Sequence, residues 1–315
     1  MGIERTATTA TARNAVRAGS LQAWAVALRL RSLPVAISPV LVGATFGFAR
    51  TGRIDWLAAL LVLGAALLMQ LVTNLQNDVG YTVRGGDSSG TRTGLPRATA
   101  NGWLTVRHVR TGIVVAALVA TALGLALFAW RGWPVLAIGV ASLLAALAYM
   151  GGPRPIAYTP FGELTVFAFF GLVAVMGTDW VLTGSVGAAT AIAAVALGGL
   201  AAAALAVNNH RDVAHDRLVG RRTFAVSYGD AASVGLYSFL LIGPFALLAP
   251  IAVLAGHAAL LLPVLLLPGA LQLRARFANG PRGLALNEVL FRTFRLELWF
   301  AALLSAGALL ARMAP

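Results

Sequence analysis

The sequence predicts an all-α, polytopic membrane protein with about nine transmembrane helices in one bundle. Three observations carry this. Of 315 residues, 59% are hydrophobic and only 11% charged, where a soluble domain carries about 25% charge. The apolar residues gather into nine runs of roughly spanning length. Those runs are continuous and lack the two-residue alternation of barrel strands, so helices must satisfy the backbone in lipid. The chain has no cysteine, which excludes disulfides and thiolate metal sites.

In chain order, residues 1–20 are rich in Thr, Ala and Arg and hold no apolar core. They read as a flexible cytoplasmic tail, and not as a cleaved signal peptide. Residues 21–315 form the membrane domain. The first run covers 21–49. The second, 56–78, ends in Asn74-Leu75-Gln76-Asn77-Asp78. The third and fourth, 104–131 and 133–150, are separated by the joint Gly132-Trp133-Pro134, which suits paired helices. The fifth, 160–182, follows a loop around Arg154. The sixth, 185–207, runs into Asn208-Asn209-His210-Arg211-Asp212. Runs at 232–255, 257–275 and 291–312 complete the set.

Nine spans place the termini on opposite sides. With the N-terminus inside, every arginine except Arg50, Arg53, Arg131 and Arg312 falls on the inner side. That bias fixes the expected orientation in a bacterial inner (cytoplasmic) membrane, with the polar loops cytoplasmic. The net charge of +13 comes from 24 arginines and no lysine. A basic balance can signal nucleic acid, but these arginines lie between apolar runs and form no soluble basic domain. They read instead as topology determinants and phosphate ligands.

Four of the 11 acidic residues sit in two places. Asp78 and Asp87 follow the second run; Asp212 and Asp216 follow the sixth. The N-x-x-x-D spacing of Asn74 to Asp78 recurs in Asn208 to Asp212 as a weak internal repeat. Acids at a membrane boundary are functional candidates. Magnesium takes oxygen ligands, commonly one or two carboxylates plus substrate phosphates. Asp78, Asp212 and Asp216 suit that role, with Asn74, Asn77, Asn208 and Asn209 as neutral donors. Arg92, Arg97, Arg211, Arg221 and Arg222 can pair with diphosphate oxygens. The plainer reading makes each acid a helix cap or a salt-bridge partner. His210 and His215 read equally as solvated loop residues. Asp179, on the outer side, shows no evident partner and reads as a cap.

Metal and arginines holding a diphosphate are what ionisation of an allylic diphosphate requires. The apolar helices would shelter the resulting cation-like prenyl chain from water. A transporter of anionic solutes is the rival class, since paired motifs and basic loops suit it too. Transporter sites lie near the bilayer midplane on broken helices, whereas here the polar residues gather at one face.

These motifs resemble the UbiA superfamily of membrane prenyltransferases, and within it the 1,4-dihydroxy-2-naphthoate polyprenyltransferase (MenA-type) branch. Asn208 to Asp212, Asp216 and Gly220-Arg221-Arg222-Thr223 resemble the family pattern N-N-x-R-D-x-x-x-D-x-x-x-G-K-x-T, with Arg221 where lysine is usual. Gln70 to Asp78, Arg92 to Arg97, Tyr149 to Glu163 and Leu28 to Pro34 resemble further family segments. The likeness covers about residues 28–230. It implies transfer of a polyprenyl group from its diphosphate to an aromatic acceptor, 1,4-dihydroxy-2-naphthoate with loss of its carboxylate, in menaquinone biosynthesis. It also implies a UbiA-like bundle, Mg²⁺ dependence and a lipid bilayer as surroundings. Asp78, Asp212 and Asp216 would be catalytic. Asn77, Asp78, Asp87, Asp212 and Asp216 would serve the metal. Asn74, Arg92, Arg97, Asn208, Arg211 and Arg222 would bind the diphosphate substrate, and Tyr149, Arg154, Tyr158 and Glu163 the acceptor. One position departs: Tyr81 stands where a metal-binding Asp is expected, and a phenol is a poor Mg²⁺ ligand at neutral pH. Either Asp78 or Asp87 substitutes, or the first metal site is weak, or the chain has moved to another aromatic acceptor or lost activity.

Overall fold

The computed structural model describes residues 16–86 and 94–313. Most of the tail expected over 1–20 lies outside the described residues, as do Asp87 and Arg92. Every regular element described is helical. Among the described residues, eight helices are long and apolar enough to cross a membrane, and there are nine spans if a bent pair counts as one.

That pair corrects the first run. Residues 21–49 are not one helix: Leu21–Leu28 (α1) and Pro34–Thr51 (α2) flank a short 3-10 turn, with a 46° bend between them. Arg29 sits at the break in the left-handed region, with φ 49°, a conformation costing a non-glycine residue about 1–2 kcal/mol. The next span holds the break in place. Asn74 donates from Nδ2 to Leu28 O at 2.8 Å and to Ser32 Oγ at 3.0 Å.

Trp56–Val83 (α3) starts at an Asp55 cap, whose side chain accepts from Ala58 N. Val106–Arg131 (α4) starts at a Thr105 cap of the same kind. Gly132, at φ 70°, turns the chain directly into Trp133–Met150 (α5), as the glycine–proline joint predicts. Gly162–Thr183 (α6) carries a π-helical segment, Phe167–Met176. Ala188–Arg211 (α7) is followed by the short Val213–Leu218 (α8). Phe224–Ala255 (α9) begins eight residues before the predicted run and is kinked at Gly229. Ala258–Asn279 (α10) opens as 3-10 helix, and Gly283–Met313 (α11) ends the fold.

The bundle is built around α7. Of its most apolar window, 78% is buried, against at most 44% for any other candidate span. Its alanines and glycines let neighbours approach closely, the usual device where lipid gives helices no hydrophobic drive to associate. A Cβ on Gly171 of α6 would lie 2.5 Å from Gly198 Cα, and one on Gly198 would lie 2.7 Å from Phe167 O. On the far side, Asp179 has the partner that the sequence did not reveal. Arg50 donates to its Oδ1 at 2.8 Å, while Thr190 Oγ1 and Gly187 N donate to Oδ2. That fully buried carboxylate ties α2, α6 and α7 together at the end opposite the acid motifs.

Candidate active site

A cavity of about 890 Å³ runs through the bundle, lined by residues of α1 to α7 and of α11. Its lining on α3 extends from Val62 to Tyr81. At about 1.5 Å per residue that is about 28 Å, close to the roughly 30 Å hydrocarbon thickness of a bilayer. One end is polar and holds the motif residues. The rest is walled by side chains such as Val40, Met69, Phe169, Phe170 and Val173.

The polar end is built by two chain reversals. In the first, Asp78 on α3 accepts from Ala98 N and Thr99 N at 2.9 Å each, and from Thr99 Oγ1 at 2.5 Å. These charge-assisted bonds pin the loop before α4 against α3. The pinned loop carries Arg97, whose guanidinium carbon lies 3.3 Å from the centroid of the Tyr81 ring. Asp78 is buried and is not part of the cavity wall. Its carboxylate serves the loop, and through the loop Arg97.

In the second, α7 stops at Arg211. Asp212 takes non-helical φ −96°, ψ 8°, so the four-residue step to Asp216 crosses from one helix into another. Arg211 donates from Nε and Nη2 to the two Asp212 oxygens at 2.9 and 2.7 Å, and from Nη1 to Asn287 Oδ1 on α11. Asp216 is fully buried behind the wall, where Arg221 donates to its Oδ1 at 2.7 Å. Arg221 also donates to Ala157 O at 3.0 Å and to the Tyr81 hydroxyl. Burial pushes the Arg221 guanidinium down to about 9, which leaves it charged at neutral pH.

The structure therefore gathers Asn74, Asn77, Arg97, Tyr149, Asn208, Arg211 and Asp212 on one cavity wall. It does not bring all the sequence candidates there. Of the Arg221-Arg222 pair, Arg221 turns inward and Arg222 is exposed, its backbone N–H donating to Tyr158 O. Arg154 is exposed, and Tyr158 packs outside the wall between Arg84 and Arg221. Asn74 is occupied with the α1–α2 break. Glu163 lies behind the wall and accepts from Asn209 Nδ2 at 2.9 Å. Gly162 separates the Tyr149 hydroxyl from the Asn209 amide, since a Cβ there would meet them at 3.6 and 3.9 Å. His210 and His215 are buried and not solvated, and His210 Nδ1 pairs with Ser233 Oγ.

Arg29, Gln70 and Ser32, which the sequence places in family-like segments without assigning them a site role, are also on the wall. Arg29 carried a signal, an arginine inside an apolar run. Arg29, Arg97, Arg211 and Arg221 thus face one end of an apolar slot around a single wall carboxylate, Asp212. Asp212 and Asp216 already pair with Arg211 and Arg221, yet four guanidinium groups gathered at one buried end are eased further when an anion joins them, so this end suits a multiply charged anion. Among the described residues no three of His, Asp and Glu converge on a metal position. The oxygen donors on the wall include Asn77, Asn208 and Asp212. That set fits a magnesium ion that takes its remaining ligands from water and a bound diphosphate.

Residues 36–300 match the UbiA prenyltransferase family. A 1,4-dihydroxy-2-naphthoate octaprenyltransferase of Mycobacterium leprae is 34% identical over 92% of this chain and 97% of its own. The enzyme of that name from Escherichia coli is 34% identical over 72% of this chain and 75% of its own. Among solved structures, a UbiA homolog from Archaeoglobus fulgidus bound to DMAPP and Mg²⁺ superposes with a TM-score of 0.66 at 16% identity, covering 93% of this chain and 99% of that one. At that identity the likeness shows the fold.

Proposed function

The chain belongs to the UbiA prenyltransferase family, and from that membership we propose how its residues do the family's work. It is a magnesium-dependent, multi-pass membrane prenyltransferase. It transfers a polyprenyl group from its diphosphate to 1,4-dihydroxy-2-naphthoate, a step of menaquinone biosynthesis. The observation that carries the residue assignments is the convergence of Arg29, Arg97, Arg211 and Arg221 with Asp212 at one end of a membrane-long apolar slot.

The diphosphate sits among those arginines, with its prenyl chain down the slot. Arg97 and Arg221, fixed by the Tyr81 ring and hydroxyl, meet its oxygens. Arg211 is held by Asp212 and Asn287 and covers the other side. Asp212, Asn77 and Asn208 would hold the metal, and a bound Mg²⁺ would there supply charge neutralisation for the departing diphosphate. The allylic C–O bond breaks, and diphosphate leaves with the electron pair. The apolar wall of Phe169, Phe170 and Val173 keeps water from the cation that forms. The acceptor lies in the corner of Tyr149, Gly162 and Asn209, where Glu163 orients the Asn209 amide. Its carboxylate-bearing ring carbon takes the prenyl group, and the carboxylate leaves as CO₂. Asp78 and Asn74 act as positioning residues. The polar end faces the cytoplasm in this reading, supported by the arginine distribution along the chain.

The test is a membrane assay with Mg²⁺, octaprenyl diphosphate and 1,4-dihydroxy-2-naphthoate, read by mass spectrometry. Prenylated, decarboxylated product is expected, and Asp212→Ala should lower its rate by about 100-fold or more. Prenylation of 4-hydroxybenzoate in place of the naphthoate would overturn the acceptor assignment.

A further inference from the structure

α10 runs apolar from Ala258 and gains its charge only in its last turns, at Arg274 and Arg276. The acids near this end of the bundle are already taken. Glu288 pairs with Arg276 and Arg292, and Asp230, near the start of α9, pairs with Arg282 at 3.3 Å. These two are the exposed acids among the described residues. Arg274 is exposed and pairs with neither: its Nε donates to Ser238 Oγ of α9 at 3.2 Å. That bond sets the guanidinium on the outer seam between α9 and α10. The residues beside it are apolar and face outward. Phe239, next to Ser238, is 72% exposed, and Leu271, one turn before Arg274, is 47% exposed. Toward the site end, Gly235 of α9 leaves the seam open, since a Cβ there would meet no heavy atom within 4 Å.

The depth of Arg274 follows from α9. Ser238 stands 17 residues before Ala255, where that helix ends at the far face, about 26 Å away. The hydrocarbon of a bilayer is about 30 Å thick, so Arg274 lies at its edge on the side of the site, where lipid phosphates begin. An unpaired charge at that level is costly unless it finds a partner. We propose that the α9–α10 seam binds an anionic phospholipid, with the phosphate on Arg274 and the acyl chains along Phe239 and Leu271. A water-soluble phosphate would satisfy the cation but leave those two side chains without a partner. Asp230 is held by Arg282, so the seam offers no free carboxylate to the cationic headgroup of a zwitterionic lipid. The inference depends on the bundle crossing a bilayer and not on the acceptor assigned above.

The full chain in detergent, titrated with phosphatidylglycerol and separately with phosphatidylcholine, is read by native mass spectrometry. The wild type should retain phosphatidylglycerol more tightly than phosphatidylcholine. Arg274→Gln should weaken that binding by about fivefold, as loss of one interfacial arginine implies. Arg274→Lys should keep the preference, and Arg276→Gln, whose arginine is already paired, should leave it unchanged. Equal retention of the two lipids by the wild type, or full retention of phosphatidylglycerol by Arg274→Gln, would overturn the proposal. So would displacement of the lipid by inorganic phosphate, which would make this a site for free phosphate. Thermal unfolding gives a second reading. Phosphatidylglycerol should raise the melting temperature of the wild type above its value in phosphatidylcholine, and Arg274→Gln should lose that difference. A difference that persists in the variant would place the lipid elsewhere and sink the seam.

Discussion

The Arg97 guanidinium lies 3.3 Å from the centroid of the Tyr81 ring, and Arg221 donates to the hydroxyl of the same tyrosine. One side chain therefore places two cations. The family pattern has an Asp at this position, and here a neutral aromatic has taken it. Cation–π contacts contribute about 0.5–2 kcal/mol and a charged hydrogen bond about 1.5–3 kcal/mol. Tyr81→Ala should raise KM for the prenyl diphosphate by about tenfold or more. Tyr81→Phe keeps the ring and should cost about fivefold or less, because Asp216 and Ala157 still hold Arg221. Steady-state kinetics on both variants checks this, and a larger loss in the Phe variant would contradict it.

Asp78 and Asp212 are both motif acids, but only Asp212 is on the cavity wall. A magnesium titration should separate them. Asp212→Asn should shift half-saturation to higher Mg²⁺. Asp78→Asn should leave that midpoint in place while lowering thermal stability and diphosphate affinity, because the amide keeps one acceptor oxygen and turns an NH₂ toward either Ala98 N or Thr99 N, which then loses its acceptor. Leaving such a donor unpaired costs about 1–3 kcal/mol.

Arg221 gives a pH dependence. Its pKa is lowered by burial to about 9. The cation that binds diphosphate is then present below pH 9 and lost above it, so KM for the prenyl diphosphate should climb as pH rises through 9. Its contribution to folding runs the other way. A folded value below the unfolded one means that the unfolded chain binds the proton more tightly above pH 9, so this group favours folding more as pH rises. KM measured from pH 7 to 10 should bend upward in the wild type and stay flat in Arg221→Gln.

Asp179 is a purely structural acid. Its carboxylate takes bonds from Arg50, Thr183, Gly187 and Thr190 at the end opposite the site. Its removal leaves Gly187 N–H and the Thr190 hydroxyl without this acceptor, about 1–3 kcal/mol each, while Arg50, 35% exposed, can turn to water. Asp179→Ala should melt at distinctly lower temperature in detergent, with kcat of the folded fraction preserved.

Close packing of α6 on α7 sets the slot wall. Gly198→Ala places a Cβ 2.7 Å from Phe167 O. Overpacking of this kind costs about 1–3 kcal/mol, and it should displace the segment bearing Phe169 and Phe170. Thermal unfolding should show the loss, with poorer kcat on all prenyl diphosphates.

Much of this protein was written in the sequence. Apolar runs of spanning length are a one-dimensional record of contact with lipid, so the spans and the joint at Gly132 could be read from neighbouring residues. The two acid motifs were equally plain, because acids stand out in an apolar chain. Tertiary structure decided what those acids do. Asp78 and Asp212 look alike in sequence, yet Asp78 closes on a loop 20 residues away while Asp212 faces the cavity. Arg221 and Arg222 are adjacent and identical, and contacts with Asp216, Ala157 and Tyr81, the last 140 residues earlier, turn one inward. The break at Arg29 is held by Asn74, 45 residues on, through its bond to Leu28 O. Hydropathy and spacing report a residue's solvent and its near neighbours. Which charges meet in one cavity depends on how distant helices pack, and that leaves no local mark in the chain.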